Sequence, residues 1–538
     1  MSKILAVIPA AGIPNNKIFP SYSILPDCMI PINSKPVIGH ILDNLIQRDI
    51  RDIIIILRDT DKFTEKYLLS NYSKKVSLEI IYVDGSGGMV GSLAQGFGKS
   101  KALGFDSTLI YSGDTIYQGT LPFGSSFVTV ASQFDDSSKW CIIEEDHGSL
   151  CFINKPEVYL GHGRAITGIY YFQDLSFLLD IIRQQKTGEF YILIDSYAKS
   201  KGLTLVESDG WYDMGNIDSY YQAKIDFLKI RHFNSLEYND TYGTIKKSSS
   251  HNDKINCEIN WYLNMPDELR VFAPRLVDYH LEDSASYYEI EYYGYGSLGD
   301  MLLFGHMSID IWSSILGRLF DTVKLFKKYK ANKSRSQFVD VYKNKTLERI
   351  SQMNGDPFLE RLMGYDNIIL NGERYDNIKR FIPLLDSYVD ELYAEDDITF
   401  IHGDFFPGNL IYDPNNRILK MLDPRGAFGE RGIYGDIKYD IAKMRHSFVG
   451  HYDFIVSDLF ILTYSDTSNE FSMEIQTDEL HKSISVIFDE ILVDKGFDLR
   501  KIRIIEAILF LSMIPLHSDY PERQKAMYLI AIQKFNSL

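Results

Sequence analysis

Cysteine is scarce: Cys28, Cys141, Cys151 and Cys257 are the only four in 538 residues, and no two are spaced as CxxC. That spacing excludes a zinc ribbon and offers no disulfide framework. Basic charge is short as well. Asp and Glu number 73 against 56 Lys and Arg, giving a net charge of −17 and a pI near 5.2. A nucleic-acid binder presents the opposite balance, so no nucleic-acid partner is expected. The deficit is global and leaves room for local positive sites that take phosphates. No apolar run has the roughly twenty residues that cross a bilayer, so no membrane insertion is expected. The opening run, Met1 to Pro9, breaks at a proline too early for a signal peptide, which makes the expected location cytoplasmic. What remains is an ordinary globular composition, 45% hydrophobic and 24% charged. A chain this long is expected to form several domains.

One stretch organises the rest: Phe400-Ile-His-Gly-Asp-Phe-Phe-Pro-Gly-Asn-Leu-Ile-Tyr-Asp413, then Met421-Leu-Asp-Pro-Arg-Gly426. Apolar runs before His402 and after Asn409 read as strands, and a further strand from Ile418 ends at Asp423. The strands therefore release Asp404, Asn409 and Asp423 at one mouth. Phosphoryl transfer from ATP to a hydroxyl needs this set: a carboxylate to accept the proton, and an Asn and an Asp to hold Mg2+ on the phosphates. The order His-x-Asp-x4-Asn followed by Asp matches the spacing of kinase catalytic loops.

The first part of the chain alternates strands and helices. Residues 3–9, 52–57 and 76–83 read as buried strands, and Val37–Gln47, Lys62–Tyr72 and Gly91–Lys101 as helices. This pitch implies a parallel sheet with crossovers, a Rossmann-like α/β layer with ligands at the carboxyl strand ends. The loop after the first strand, Pro9-Ala-Ala-Gly-Ile-Pro, is built of small residues. The backbone at Ala11 and Gly12 can therefore come close to a triphosphate.

Leu25-Pro-Asp-Cys-Met-Ile-Pro-Ile-Asn-Ser-Lys-Pro resembles a signature segment of the sugar-phosphate nucleotidyltransferases. Further resemblances follow in the family's order: Gly85-Ser-Gly-Gly-Met-Val-Gly, Gly113-Asp114, Asn154-Lys-Pro, Thr167-Gly-Ile-Tyr and Trp211-Tyr-Asp-Met-Gly. The resemblance implies that Gly88 belongs to the base-reading loop and that Asp114 and Asp213 are Mg2+ ligands. It also implies that Lys155 holds the acceptor phosphate as it attacks the α-phosphorus of an NTP, with CTP or UTP expected and GTP left open. The family's Arg in the first loop is missing, and its Lys after Leu-Pro is Asp27. Lys17 and Lys35 are the candidates to replace them at the triphosphate.

The α/β pattern stops near Arg231-His-Phe-Asn-Ser-Leu, which sets the expected domains at 1–232 and 233–538. Lys246 and Lys247 lie on a short strand ahead of a helix bearing Glu258. A strand lysine paired with a helix glutamate is how kinases hold the α- and β-phosphates. Strand alternation lets only one of the two lysines face the cleft. Two more strands lead to a hinge near Glu291–Gly296, and from about Ile309 the chain reads as helical outside the opening stretch. Here the resemblance is to the aminoglycoside phosphotransferase and choline kinase superfamily. It implies an α+β, protein-kinase-like fold with an N-lobe over about 235–298 and a helical C-lobe over about 299–538. It further implies Asp404 as catalytic base, Asn409 and Asp423 as Mg2+ ligands, and Asp440 in Tyr439-Asp-Ile-Ala as a lock on the loop. Arg425 has two roles open, contact with an anion or pairing with Asp436.

Together the two halves imply a bifunctional enzyme. A kinase phosphorylates a sugar, polyol or amino alcohol, and a nucleotidyltransferase activates the product for bacterial surface polysaccharide synthesis. The alternatives are a choline or amino-alcohol kinase with a cytidylyltransferase, or an active kinase beside a silent nucleotide-binding domain. A homo-oligomer is left open.

Overall fold

The computed structural model describes residues 3–14, 25–100, 104–134, 136–159, 161–185, 188–208, 210–228, 235–249, 252–281 and 286–538. Lys17 and the expected domain boundary at 232/233 lie outside these residues. The chain divides into two compact units, Met1–Asp226 and Phe227–Leu538. No described helix is long and apolar enough to cross a membrane.

The first part runs β1 (Ile4–Pro9), β2 (Pro31–Ile32), β3 (Lys35–Pro36), α1 (Val37–Gln47), β4 (Asp52–Arg58), α2 (Lys62–Tyr72), β5 (Ser77–Val83), α3 (Gly88–Lys99), β6 (Ser107–Tyr111) and β7 (Thr115–Tyr117). It continues through β8 (Phe127–Ala131), β9 (Cys141–Asp146), β10 (Ser149–Asn154), β11 (Arg164–Phe172), α4 (Leu175–Gln185), α5 (Phe190–Lys201), β12 (Thr204–Glu207), β13 (Trp211–Asp213) and α6 (Ile217–Leu228). Strands β6, β1, β4 and β5 are parallel neighbours. The continuous apolar runs of β1 and β4 suit a sheet covered on both faces: Leu5 to Ile8 and Ile53 to Leu57 are all buried.

The parallel sheet expected from the alternation over residues 3–101 forms among β1, β4 and β5, and strands further along the chain make the whole sheet mixed. β11 runs antiparallel to β6, β8 and β9. The cause is local in part: β9 and β10 are joined through His147 and Gly148, both at positive φ. A two-residue turn of that kind can join only antiparallel strands. Helix α3 also begins three residues earlier than the apolar spacing predicts. Gly87, at φ +77, caps it, and its carbonyl accepts from Gly91 N at 3.0 Å.

The second unit opens with an antiparallel sheet in the order β14 (Ser235–Asn239), β15 (Thr244–Ser248), β17 (Tyr287–Glu291) and β16 (Leu276–His280), with α7 (Asn252–Asn264) following β15. A helical body comes next. The helix Ile437–Phe448 is buried along its whole length and packs on Leu499–Met513, which packs on Pro521–Asn536. This body is not purely helical, as the sequence led us to expect. Strands Asn367–Leu370, Glu373–Asp376, Phe460–Tyr464 and Glu470–Ile475 form a second four-stranded sheet. Its pattern is period two, with Phe471 and Met473 buried between exposed neighbours, a signal that four- to six-residue strands give weakly.

Candidate active sites

In the N-terminal unit a cavity of about 410 Å³ opens at the carboxyl end of β1, lined by Ala11, Gly12, Asp27, Gly88, Gly113 and Asp114 among others. Gly113 has to be glycine: a Cβ there would lie 2.9 Å from Ala10 Cβ and 3.1 Å from Pro9 O. Gly88, at φ +62, has open space where a side chain would point, and no side chain caps the helix it begins. An uncapped helix N-terminus beside a small-residue loop suits an anion such as a phosphate.

Two carboxylates meet here although they are distant in the chain. β7 and β13 pair antiparallel with Thr115 opposite Asp213, and Met214 N donates to Asp114 O at 2.9 Å. Burial raises the pKa of Asp114. Burial, then the charges of Asp114 and Asp27, raise Asp213 to about 7. Repelling, desolvated carboxylates of this kind suit a divalent cation, and Asp114 and Asp213 are the residues that would hold it. Among the described residues no group of three or more His, Cys, Asp or Glu is placed to do so.

Lys155 is exposed at φ +47, and its amide donates to Trp140 O at 2.9 Å. Trp140 meets Trp211 of β13 edge-on at 5.1 Å, so Lys155 and Asp213 are linked through one tryptophan pair. Lys35 does not line the cavity. Its ammonium is paired with Asp43 of α1. Asp27, where the family has lysine, does line it. Sequence reasoning missed Lys139, whose charge opposes the rise at Asp213; a lone lysine in a polar stretch gives no signal.

In the C-terminal unit β15 decides between the two lysines. Lys247 points inward, 4% exposed, with its ammonium 2.8 Å from Glu258 and 2.9 Å from Asp423. Lys246 points the other way and lies over the Tyr287 ring at 3.7 Å. Glu258 is fully buried and also accepts from Tyr288 Oη at 2.7 Å. Trp261, from the same helix α7, donates to Ile401 O at 2.8 Å, which ties this helix to the loop bearing Asp404. Lys247→Met leaves fully buried Glu258 with only the exposed Lys254 ammonium 3.8 Å away, a cost of up to about 3–5 kcal/mol. The expected outcome is a clear fall in the denaturation midpoint of the C-terminal unit, and an unchanged midpoint would contradict this pairing.

A hairpin sets Asn409 beside Asp423. Leu410–Asp413 pairs with Ile418–Met421, and Leu422 N donates to Asn409 O at 2.8 Å. Asn409 Nδ2 donates to Asp404 Oδ2 at 3.0 Å, which leaves its amide oxygen as the atom a cation would take. Asp440 accepts from His402 N at 2.7 Å and Gly403 N at 2.8 Å, holding the loop. His402 is fully buried. Desolvation lowers its pKa to about 4, so it acts as a neutral brace whose Nδ1 accepts from Asp404 N at 3.3 Å.

Asp404 pairs with Lys443 at 2.9 Å. Desolvation raises the Asp404 pKa, but Lys443 overrides it and holds it at about 2. Sequence reasoning missed Lys443. The signal was there, because Lys443 stands three residues after Asp440 on one helix face. Pairing of Arg425 with Asp436, one of its two expected roles, is corrected: Asp436 pairs with Lys438 at 2.8 Å and accepts from Tyr342. Arg425 instead donates to Tyr439 Oη at 2.6 Å.

Residues 20–229 match the family model described as nucleotidyl transferase. A curated relative, the UTP–glucose-1-phosphate uridylyltransferase of Klebsiella pneumoniae, is 29% identical over 79 residues, 15% of this chain and 26% of its own length. The chain thus spans about a quarter of the curated relative it matches. A solved structure described as a glucose-1-phosphate thymidylyltransferase from Bacillus anthracis, in complex with a sucrose, is 22% identical with a TM-score of 0.38, covering 43% of this chain and 97% of that one. The N-terminal unit carries a nucleotidyl transferase domain.

Proposed function

We propose that the protein is a bifunctional transferase. The C-terminal unit phosphorylates a small hydroxylated molecule with ATP, and the N-terminal unit joins that phosphate to an NTP, releasing pyrophosphate. The nucleotide-activated product would serve surface polysaccharide synthesis. The observation that carries the kinase half is Lys247, buried between Glu258 and Asp423 while Asp404 and Asn409 meet across the loop. This brings together a phosphate-binding lysine, a proton acceptor and two oxygen donors for Mg2+. For the nucleotidyl half it is the Asp114–Asp213 pair beside the glycine-lined cavity.

The roles follow from chemistry. Asp404, ionised at neutral pH, accepts the proton of the attacking hydroxyl. Lys247 holds the ATP phosphates. Asn409 and Asp423 in one unit, and Asp114 and Asp213 in the other, would hold Mg2+, which neutralises phosphate charge when bound. Lys155 steers the acceptor phosphate as a compact point charge. One covalent chain keeps the phosphorylated intermediate local.

A second function has a specific observation in its favour. With Asp27 in the cavity and Lys35 spent on Asp43, the N-terminal unit would bind a nucleotide without transferring it. The intact protein with ATP, an acceptor and each NTP separates the two. Pyrophosphate release that depends on prior ADP formation supports the bifunctional enzyme. ADP formation without pyrophosphate, from any NTP or added sugar phosphate, sinks it and leaves the silent module.

A further inference from the structure

The surroundings of Asp404 hold more positive charge than the proposed phosphoryl chemistry uses. Lys443 is engaged with Asp404. Arg425 lies against the loop itself: Gly403, at φ +81, would place a Cβ 2.7 Å from Arg425 Cβ. The guanidinium meets the Tyr439 phenol and no carboxylate among the described residues. Lys345 is half-buried and likewise has no carboxylate partner among the described residues. Tyr342, three residues before Lys345, sets its ring 6.3 Å from that of Tyr439, the phenol that Arg425 meets, and the cations acting on Lys345 are Arg425, Lys443 and Arg349. Burial and these cations push its pKa down to about 8.

Like charges crowded together with little water to screen them are costly, and a fold retains them where an anion compensates. A second feature marks the same place. The segment leading into Lys345, Val339–Asn344, is π-helical, a rare conformation that is frequent at functional sites. The ATP phosphates have their own cation in Lys247, which pairs with Glu258 and Asp423.

We propose that the acceptor of the C-terminal unit is itself an anion, a hydroxylated carboxylate or phosphate ester, whose charged group binds between Lys345 and Arg425 while its hydroxyl meets Asp404. This rests on the kinase function proposed above and narrows its substrate class. A quaternary amine or amino alcohol would need aromatic faces and carboxylates here, and would meet cations instead.

The test is ADP formation by the full chain with D-glycerate, D-gluconate and sn-glycerol 3-phosphate, against glycerol, D-glucose and choline. The first two distinguish a carboxylate from the phosphate of the third. Turnover is expected with members of the anionic set only. Lys345→Gln is expected to raise the acceptor KM at least tenfold with the KM for ATP unchanged and the melting temperature no lower than wild type. Lys345→Arg should recover most of the acceptor affinity. Turnover of glycerol, glucose or choline that matches or exceeds that of the anions overturns the anion assignment and leaves the kinase standing. So does a Lys345→Gln protein that melts like wild type with an unchanged acceptor KM. Failure to bind ATP and Mg2+, together with no turnover of any compound, overturns the kinase function and this inference together.

Discussion

Asp404→Asn is expected to lower ATP-dependent phosphorylation about 100- to 10,000-fold, with pyrophosphate release from a supplied sugar phosphate unchanged. The substitution keeps the shape of the side chain and removes the proton acceptor. Asn409 can still reach the new amide, and Asp440 still holds His402 and Gly403, so the loop survives. Because Lys443 holds Asp404 at about 2, the wild-type rate at neutral pH does not sense its titration. Lys443→Met removes the main lowering influence, so the acid limb of the pH–rate profile should move upward. An acid limb that stays in place would show that Asp404 is not the group protonated there. Loss of pyrophosphate release in Asp404→Asn would contradict independent sites.

Asp213→Asn, or Asp114→Asn, should do the converse: pyrophosphate release is lost and phosphorylation persists. Asp213→Asn has a second readout that needs no turnover. Asp213 is raised from 3.8 to about 7 in the fold, so the folded state keeps a proton that the unfolded chain releases. Its contribution to stability is present below pH 3.8 and lost as pH rises through 7. In metal-free protein the melting temperature should therefore carry a downward component over that window. Mg2+ should offset it, and Asp213→Asn should remove it. A melting profile that is the same in wild type and Asp213→Asn over that window, with and without Mg2+, would rule out the carboxylate pair as a cation site.

The sequence by itself determined what local chemistry can show. The apolar runs of β1 and β4 form strands because nothing polar interrupts their interiors. Asn409 and Asp423 were legible as neighbours because a short hairpin brings them together, and a hairpin is set by nearby residues. Asp404 stood out by spacing, and Asp440 by the resemblance of Tyr439-Asp-Ile-Ala to a superfamily segment. Tertiary structure decided the rest, because a charged side chain takes its partner from whatever the fold brings within reach. It turned Lys247 inward and Lys246 onto Tyr287, tied Lys35 to Asp43, and put Asp27 into the cavity. It paired β7 with β13 so that two distant carboxylates share one space, and it extended the parallel strands into a mixed sheet. It also gathered Lys345, Arg425 and Lys443 from three separate segments around the Tyr439 phenol. Apart from the spacing of Lys443 to Asp440, that gathering has no sequence pattern, because a lysine or arginine alone is indistinguishable from a solvated one until burial removes the water that would screen it.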